Sequence, residues 1–303
     1  GDIIVENGAT LTLIEGTELY LHNKTWIVID SLSSLKSLGS SVKPIIIQSD
    51  RTDNYSLIDY ANNPGQWGQI WMLQGSYNNI FKYTIIKNGQ IGIRVDGVNN
   101  MSQLPKEPNL IIENSIIYNM SNVGLLAQGS YVYGENNLFV NCGESLLALN
   151  FGGSYEFNHC TFANFWPYSS RQTPSIFINN YYEDENDLIQ NRDLLKAQFS
   201  NCIIDGQNEN EIIFDRNEKS QFNYTFDHCI MKISDDVWNE WNNTSSANNI
   251  ISESVNFIDY ELNNFELDSN SIAIDAGKNI GINIDLLGQP RDLNPDIGCF
   301  EKQ

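Results

Sequence analysis

The amino-acid sequence predicts an all-β solenoid, in which short strands wind into stacked coils. The first observation is a recurring phrase: one small or polar residue, two apolar residues, one variable residue and Asn. The second is an apolar strand that follows the phrases, and the third is the lack of a sustained helical period. Because one such repeat cannot bury its own apolar face, successive repeats must stack. The phrases begin at Thr84, Ser115, Asn137, Cys160, Cys202 and Cys229, and the last two lack the Asn.

The strands follow one another in a regular order along the chain. Alternating apolar and polar runs, separated by Asn-Gly or Glu-Gly turns, predict strands near 3–5, 9–13, 18–21, 26–29, 35–38 and 44–47. The polar stretch 50–66 is predicted to be a surface excursion, after which the coil resumes at Trp67. Two or three short strands per coil, without a hairpin signal, indicate a parallel β-helix of roughly ten coils. We predict one domain over 1–303, in which 254–303 is a C-terminal capping motif.

Polar residues of the phrase are predicted to be structural. Asn88, Asn119, Asn141 and Asn164 would stack in one turn, where Asn tolerates a left-handed backbone. His159 and His228 occupy the turn position that Asn114 and Asn201 hold in other coils, which favours a turn role over acid–base chemistry.

Three of the five cysteines, Cys160, Cys202 and Cys229, share one position of the phrase. Stacked coils place equivalent residues about 4.8 Å apart, so these thiols are predicted to form a buried internal ladder. A metal site or disulfides are the alternatives, although no Cys-x-x-Cys pair exists and the spacings match no zinc pattern.

The charge balance excludes one class of partner. The chain has 17 basic and 38 acidic residues, a formal net charge of −21. Nucleic acid is not expected as a partner, because phosphate binding requires clustered Lys and Arg. The same charge argues against polyanionic sugars unless a cation intervenes. Polarity that comes largely from Asn, Ser and Gln is typical of a secreted protein.

The longest interruption of the phrase, between Cys160 and Cys202, is the candidate glycan-binding region. Its aromatic residues could stack on sugar rings while acidic residues accept hydrogen bonds from sugar hydroxyls. A pair of carboxylates about 5–10 Å apart would instead support glycoside hydrolysis. A solvated loop pinned by its aromatic residues is the structural alternative. The stretch 234–250 is predicted to contain one or two helical turns. The candidate glycan-binding residues are Trp166, Tyr168, Tyr181, Tyr182, Asp184 and Glu185.

Both ends of the chain resemble known proteins. The opening, with 8–12, 15–17 and Trp67-Gly68, resembles bacterial surface β-helix proteins of the pectin-lyase-like superfamily. The ending, with 271–277, 285–291 and 296–301, is similar to the C-terminal motif of choice-of-anchor Q proteins, which are often lipoproteins. The resemblance implies a single-stranded right-handed parallel β-helix, exported by a bacterium and tethered by a lipid on residues outside this chain. It supplies no catalytic residues.

The C-terminal motif is predicted to cover the open last rung of the solenoid, which would otherwise invite aggregation. Arg291 is expected to form a bidentate pair with a carboxylate. The alternative is a calcium site, with Asp275, Asp285 and Asp296 as candidate ligands. The predicted cap residues are Asp275, Gly277, Asp285, Gly288, Arg291, Asp296, Gly298 and Glu301.

The sequence therefore predicts a monomer at the bacterial cell surface, as an outer-membrane lipoprotein, or in the extracellular space. It would bind polysaccharide on its lateral face, with no assignable catalysis and with the membrane reached only through the lipid anchor. A carbohydrate-active enzyme, either a glycoside hydrolase or a calcium-assisted lyase, is the second candidate. An adhesin or structural spacer is the third.

Overall fold

A computed structural model describes residues 1–56, 58–97, 106–241, 247–251 and 254–303. Three long sheets, in which every pairing is parallel, run along the molecule, and each coil contributes one strand to sheet A, then B, then C. This confirms the all-β parallel β-helix. The described residues form eight complete coils and one further sheet C strand, which is slightly fewer than the ten expected.

The strand boundaries show the regular winding. Sheet A comprises Ile3–Val5, Ile27–Ile29, Ile70–Met72, Ile91–Asp96, Val123–Gln128, Leu147–Asn150, Ile176–Asn179 and Ile212–Asp215. Sheet B comprises Thr10–Ile14, Ser34–Leu38, Asn79–Lys82, Leu110–Glu113, Tyr131–Glu135, Gly153–Asn158, Leu194–Ser200 and Phe222–Asp227. Sheet C comprises Glu18–Leu21, Ile45–Ser49, Thr84–Lys87, Ile116–Tyr118, Leu138–Val140, Thr161–Asn164, Ile203–Gly206, Ile230–Met231 and Ile250–Ile251.

Small elements decorate the coils. Three antiparallel hairpins pair Asn54–Tyr55 with Ile58–Asp59, Tyr181–Glu183 with Ile189–Asn191, and Phe257–Asp259 with Asn264–Leu267. Two 3₁₀ turns cover Tyr60–Asn62 and Tyr260–Leu262, and one α-helix, α1, covers Asp235–Trp241. The predicted helical turns in 234–250 are therefore confirmed over 235–241, whereas 242–246 lies outside the described residues.

The core is a column of inward-facing side chains from equivalent positions of successive coils. Phe157, Phe199 and Phe226 stack in sequence, with ring centroids 5.4 and 5.1 Å apart. Such offset aromatic stacking adds to the free energy gained by apolar burial. The repeat supplies these contacts because it returns each apolar residue to the same side of the coil.

The predicted thiol ladder is confirmed. Cys160, Cys202 and Cys229 are free and fully buried in the core. The Cys202 Sγ donates to the carbonyl of Phe157, and the Cys229 Sγ donates to that of Phe199, each at 3.4 Å. Burial raises the pKa of the Cys202 thiol well above its ordinary value, which keeps this central thiol protonated.

The turn from sheet B to sheet C has one left-handed residue in each of seven consecutive coils. This position includes His159 and His228, as predicted, among four Asn residues that tolerate the conformation. The φ angles lie between 46° and 54°. The residues are Tyr83, Asn114, Asn136, His159, Asn201, His228 and Asn248.

The turn from sheet C to sheet A is less regular than expected. Asn88, Asn119 and Asn141 have left-handed backbones, and the Asn119 amide donates to the Asn88 side-chain oxygen at 2.8 Å. Asn164 instead ends a strand, because the chain continues there into a long insertion. Its side-chain oxygen accepts a hydrogen bond from the Cys142 N–H.

The position predicted for the C-terminal cap is wrong. Helix α1 covers the end of the solenoid, where Trp241 stacks on Phe214 with ring centroids 4.1 Å apart. Residues 254–303 lie along the flank, on the outer face of sheet C. There Phe257, Phe265 and Ile297 form a second core with outward-facing side chains such as Leu138. The outer face of sheet C is apolar, so burying it stabilises the molecule.

Candidate functional site

The predicted glycan-binding residues do not converge, because the sheet A strand Ile176–Asn179 separates them. Trp166 and Tyr168 lie at the edge between sheets C and A, whereas Tyr181 and Tyr182 lie at the edge between sheets A and B. Trp166 is only 6% exposed and donates to Ser169, so it pins the loop. Tyr168 is 54% exposed, and its hydroxyl donates to the Asn62 carbonyl at 2.8 Å.

At the other edge, the polar groups of the hairpin formed by Tyr181–Glu183 and Ile189–Asn191 mostly have hydrogen-bond partners within the protein. Asp184 accepts the N–H groups of Asn186 and Leu188 through Oδ1, and these hydrogen bonds lower its pKa. The Tyr181 hydroxyl donates to the carboxylate of Asp215 at 2.8 Å. Glu185 is exposed at the hairpin tip. Of the six candidates, Tyr182 alone lines the groove described next.

A groove of about 470 Å³ opens at the edge between sheets A and B. This volume lies within the range of small-molecule sites. The lining combines aromatic, amide, carboxylate and guanidinium groups, which suits a ligand that has both apolar and hydrogen-bonding surfaces. The lining residues are Asp30, Leu73, Gln74, Asp96, Gly97, Gln128, Gly129, Phe151, Tyr182 and Arg192.

The floor of the groove is built from the ends of sheet A strands in successive coils. The parallel register pairs Asp96 with Gln128 and Gln128 with Asn150. Leu73 and Asp30 follow the paired residues Met72 and Ile29 directly, so they continue the same column. Four coils therefore present one side chain of this column each, spaced by the separation of about 4.8 Å between parallel strands, and the next coil adds Phe151 to the lining.

Beside the floor, a charged and aromatic cluster covers the outer face of sheet A. The Arg94 guanidinium lies 4.4 Å from the Trp71 ring centroid, and its Nε donates to Asp96 Oδ1 at 2.9 Å. The Trp71 Nε1 donates to Asp96 Oδ2 at 2.7 Å, and the Trp26 ring packs edge-on against Trp71. Arg94 also donates to Gln128 at 3.0 Å. These contacts fix the side chains that face the groove.

The hairpin forms one wall. The Tyr182 ring packs against Phe151 with centroids 5.0 Å apart, and the Arg192 guanidinium lies 5.0 Å from the same ring. Arg192 donates through Nη2 to the Tyr182 hydroxyl at 3.0 Å. The hairpin insertion therefore turns a flat sheet edge into a groove.

Sequence reasoning missed the floor, although a signal exists. Asp30, Asp96 and Gln128 each end an apolar strand and begin the next turn. A column of polar residues at that position of the repeat is visible once the coils are aligned by their strands.

The calcium alternative does not fit the candidate ligands. Among the described residues, no cluster of three or more His, Cys, Asp or Glu side chains could hold a metal ion. Asp285 accepts the N–H groups of Leu287, Gln289 and Glu301, and Asp296 accepts those of Asp275 and Lys302. Asp285 and Asp296 therefore act as hydrogen-bond acceptors that close turns of the C-terminal segment.

Arg291 makes one ion pair rather than the bidentate pair expected. Its Nη1 donates to Glu301 at 3.0 Å, and its Nη2 donates to the Gly298 carbonyl and to Asn136, each at 2.9 Å. The guanidinium fork thus joins three parts of the molecule.

The predicted glycines differ in their roles. Gly288 and Gly298 have left-handed backbones, and a Cβ at Gly298 would lie 2.6 Å from the Ile203 side chain. Gly277 instead permits close packing, because a Cβ at this position would lie 2.5 Å from the Pro295 carbonyl oxygen.

The fold and the groove define a parallel β-helix with a lateral cleft. The family model described as a right-handed beta helix region matches residues 3–162, more than half of the chain, so the chain belongs to that family. No curated protein matches the chain. Within the described ranges, no helix has the length and apolar character needed to cross a membrane.

Proposed function

We propose that this chain is a carbohydrate-binding protein that holds a polysaccharide in the groove between sheets A and B. The observation that carries the proposal is the lining, in which Phe151 and Tyr182 lie together with Asp30, Asp96 and Gln128. Sugars have apolar C–H faces and many hydroxyls, so they suit aromatic surfaces bordered by carboxylates and amides.

The groove supports binding better than glycoside hydrolysis. A hydrolase needs one carboxyl group that donates a proton and another that acts as base or nucleophile. Both oxygens of Asp96 accept hydrogen bonds from Arg94 and Trp71, and one oxygen of Asp30 accepts the Ser31 N–H. These contacts suit fixed hydrogen-bond acceptors.

Export and surface tethering belong to the same proposal. They are supported by the resemblance of the C-terminal segment to the choice-of-anchor Q motif of bacterial surface proteins. Protease treatment of intact cells that express the full-length gene product tests them. Digestion of the protein without cell lysis is expected, whereas protection until lysis would contradict surface exposure.

Retention on a panel of insoluble polysaccharides, with and without calcium, tests the binding proposal. We expect retention of the wild type and loss of at least 10-fold in affinity for Tyr182→Ala, because the groove wall is removed. Tyr77→Ala is the matched control, since Tyr77 is exposed outside the groove. Equal loss in both variants, or retention on no polysaccharide, would contradict groove binding. Release of reducing or unsaturated ends would replace it with the enzyme alternative.

A further inference from the structure

Arg192 differs from the other arginines of the chain in its ionic contacts. All six arginines lie in described parts of the chain, and five form ion pairs with carboxylates. Arg192 forms no ion pair with any carboxylate of the described residues. Arg192 also lines the groove, whereas Arg94, which lies beside the floor, is paired with Asp96.

The contacts of Arg192 leave part of its donor set for a ligand. Its guanidinium has five N–H donors. Nη1 donates to the carbonyl of Asn191 at 2.8 Å, and Nη2 donates to the Tyr182 hydroxyl at 3.0 Å. Both contacts lie on the hairpin side, and they hold the planar group at the wall of the groove. A fixed guanidinium is suited to planar or tetrahedral oxyanions.

We infer that the groove selects a sugar that carries an anionic substituent, a carboxylate or a sulfate, and that Arg192 binds this group. The inference rests on the proposed glycan-binding function and specifies its ligand class. It revises the expectation from net charge, because the field of distant surface carboxylates is screened beyond about 8 Å at physiological ionic strength. The local guanidinium therefore determines what the groove accepts.

The remaining lining limits the charge of the ligand. Asp30 and Asp96 are carboxylates of the same groove, so a ligand with several adjacent phosphates would be repelled. Hydroxyl groups can instead donate to these acceptors and to Gln128. A hydroxyl-rich ring with one acidic group satisfies both sides of the groove, which favours an acidic sugar over a nucleotide or a polyphosphate.

Paired oligosaccharides that share one backbone and differ at the anionic substituent test the inference. The probes are a hyaluronan octasaccharide and its methyl ester for the carboxylate, and a carrageenan oligosaccharide and its desulfated form for the sulfate. Titration calorimetry of the wild type is expected to give at least 10-fold tighter binding of the charged member in one pair. The pair that discriminates identifies the anion. Equal or weaker binding of the charged member in both pairs would overturn the inference.

Substitution of Arg192 assigns the effect to this side chain. Arg192→Gln should lose about 10-fold or more in affinity for the charged probe and retain affinity for its neutral partner, whereas Arg192→Lys should lose less because it keeps the positive charge. Arg216→Gln is the matched control, since Arg216 is exposed and paired with Glu218. An unchanged affinity in Arg192→Gln would overturn the role of Arg192. Retained neutral binding shows that the hairpin is intact, and binding of neutral probes alone would leave the groove proposal standing while this inference fails.

Discussion

The Nη2 of Arg291 donates to the side-chain oxygen of Asn136 at 2.9 Å, although 155 positions separate the two residues. Asn136 belongs to the left-handed turn column between sheets B and C, and two further Asn amides of that column donate to the carbonyls of Asp285 and Lys278. The column thus has two roles: it turns each coil, and its side chains bind the C-terminal segment along the flank.

Replacing Arg291 should loosen that segment. Arg291→Lys cannot reproduce the fork that contacts Glu301, Gly298 and Asn136, and it leaves buried acceptors without donors. We expect a loss of about 2–3 kcal/mol in the free energy of unfolding. Limited proteolysis should cut within 254–303 before the coils. Cleavage at the wild-type rate would contradict the role of Arg291 in holding this segment against the coils.

Breaking the buried ion pair of Arg171 and Glu211 should lower the free energy of unfolding more than Arg291→Lys does. Both side chains are fully buried, with Nη2 and Oε1 2.5 Å apart. Glu211→Gln leaves the guanidinium charge buried without its partner, so a loss of roughly 3–5 kcal/mol in chemical denaturation is expected. Glu218→Gln, at the exposed pair with Arg216, is the matched control and should change stability by less than about 1 kcal/mol. Similar losses of stability in the two variants would contradict a dependence of stability on the burial of the ion pair.

His159 predicts a specific pH dependence. Burial, aided by the Arg291 charge, lowers the pKa of His159 to about 3 in the folded state, below the ordinary value of 6.5. The unfolded chain therefore binds a proton that the folded protein does not, and the stability contributed by neutral His159 is lost as pH falls from 6.5 towards 3.

His159→Asn should remove that dependence, because Asn holds the same turn position at Asn136 and Asn201. Between pH 7 and pH 5, the wild type should lose about 2 kcal/mol more than the variant in denaturant unfolding. Parallel losses in the two proteins would show that His159 does not titrate in this window.

The aromatic end cap predicts local unfolding. Trp241→Ala removes the ring that stacks on Phe214, so we expect a loss of about 2–3 kcal/mol. In a solenoid each coil contacts mainly its neighbours. Hydrogen exchange should therefore accelerate in 212–231 and stay unchanged in 27–72. Uniform acceleration along the chain would contradict an end-cap role for α1.

The repeated phrase determined much of what could be predicted. It marks sheet C, and its register places Cys160, Cys202 and Cys229 in one column. The three apolar residues Leu138–Val140 also indicate a strand buried on both faces, and this signal could have predicted the flank cover.

The site could not be read from the sequence to the same extent. Trp166 and Tyr182 are near in sequence, but a four-residue strand of about 13 Å lies between their positions. Conversely, Asp96 and Arg192 are distant in sequence and line the same groove. Only the stacking of coils brings such residues together.

The central claim is that a glycan occupies the groove on sheet A, and hydrogen–deuterium exchange with a saturating oligosaccharide from a retained polysaccharide tests it most directly. We expect slower exchange in 73–74, 96–97, 128–129 and 151, together with the hairpin 181–192, and no change along the C-terminal flank. Protection confined to the edge around Trp166 and Tyr168, or no protection anywhere, would contradict the claim.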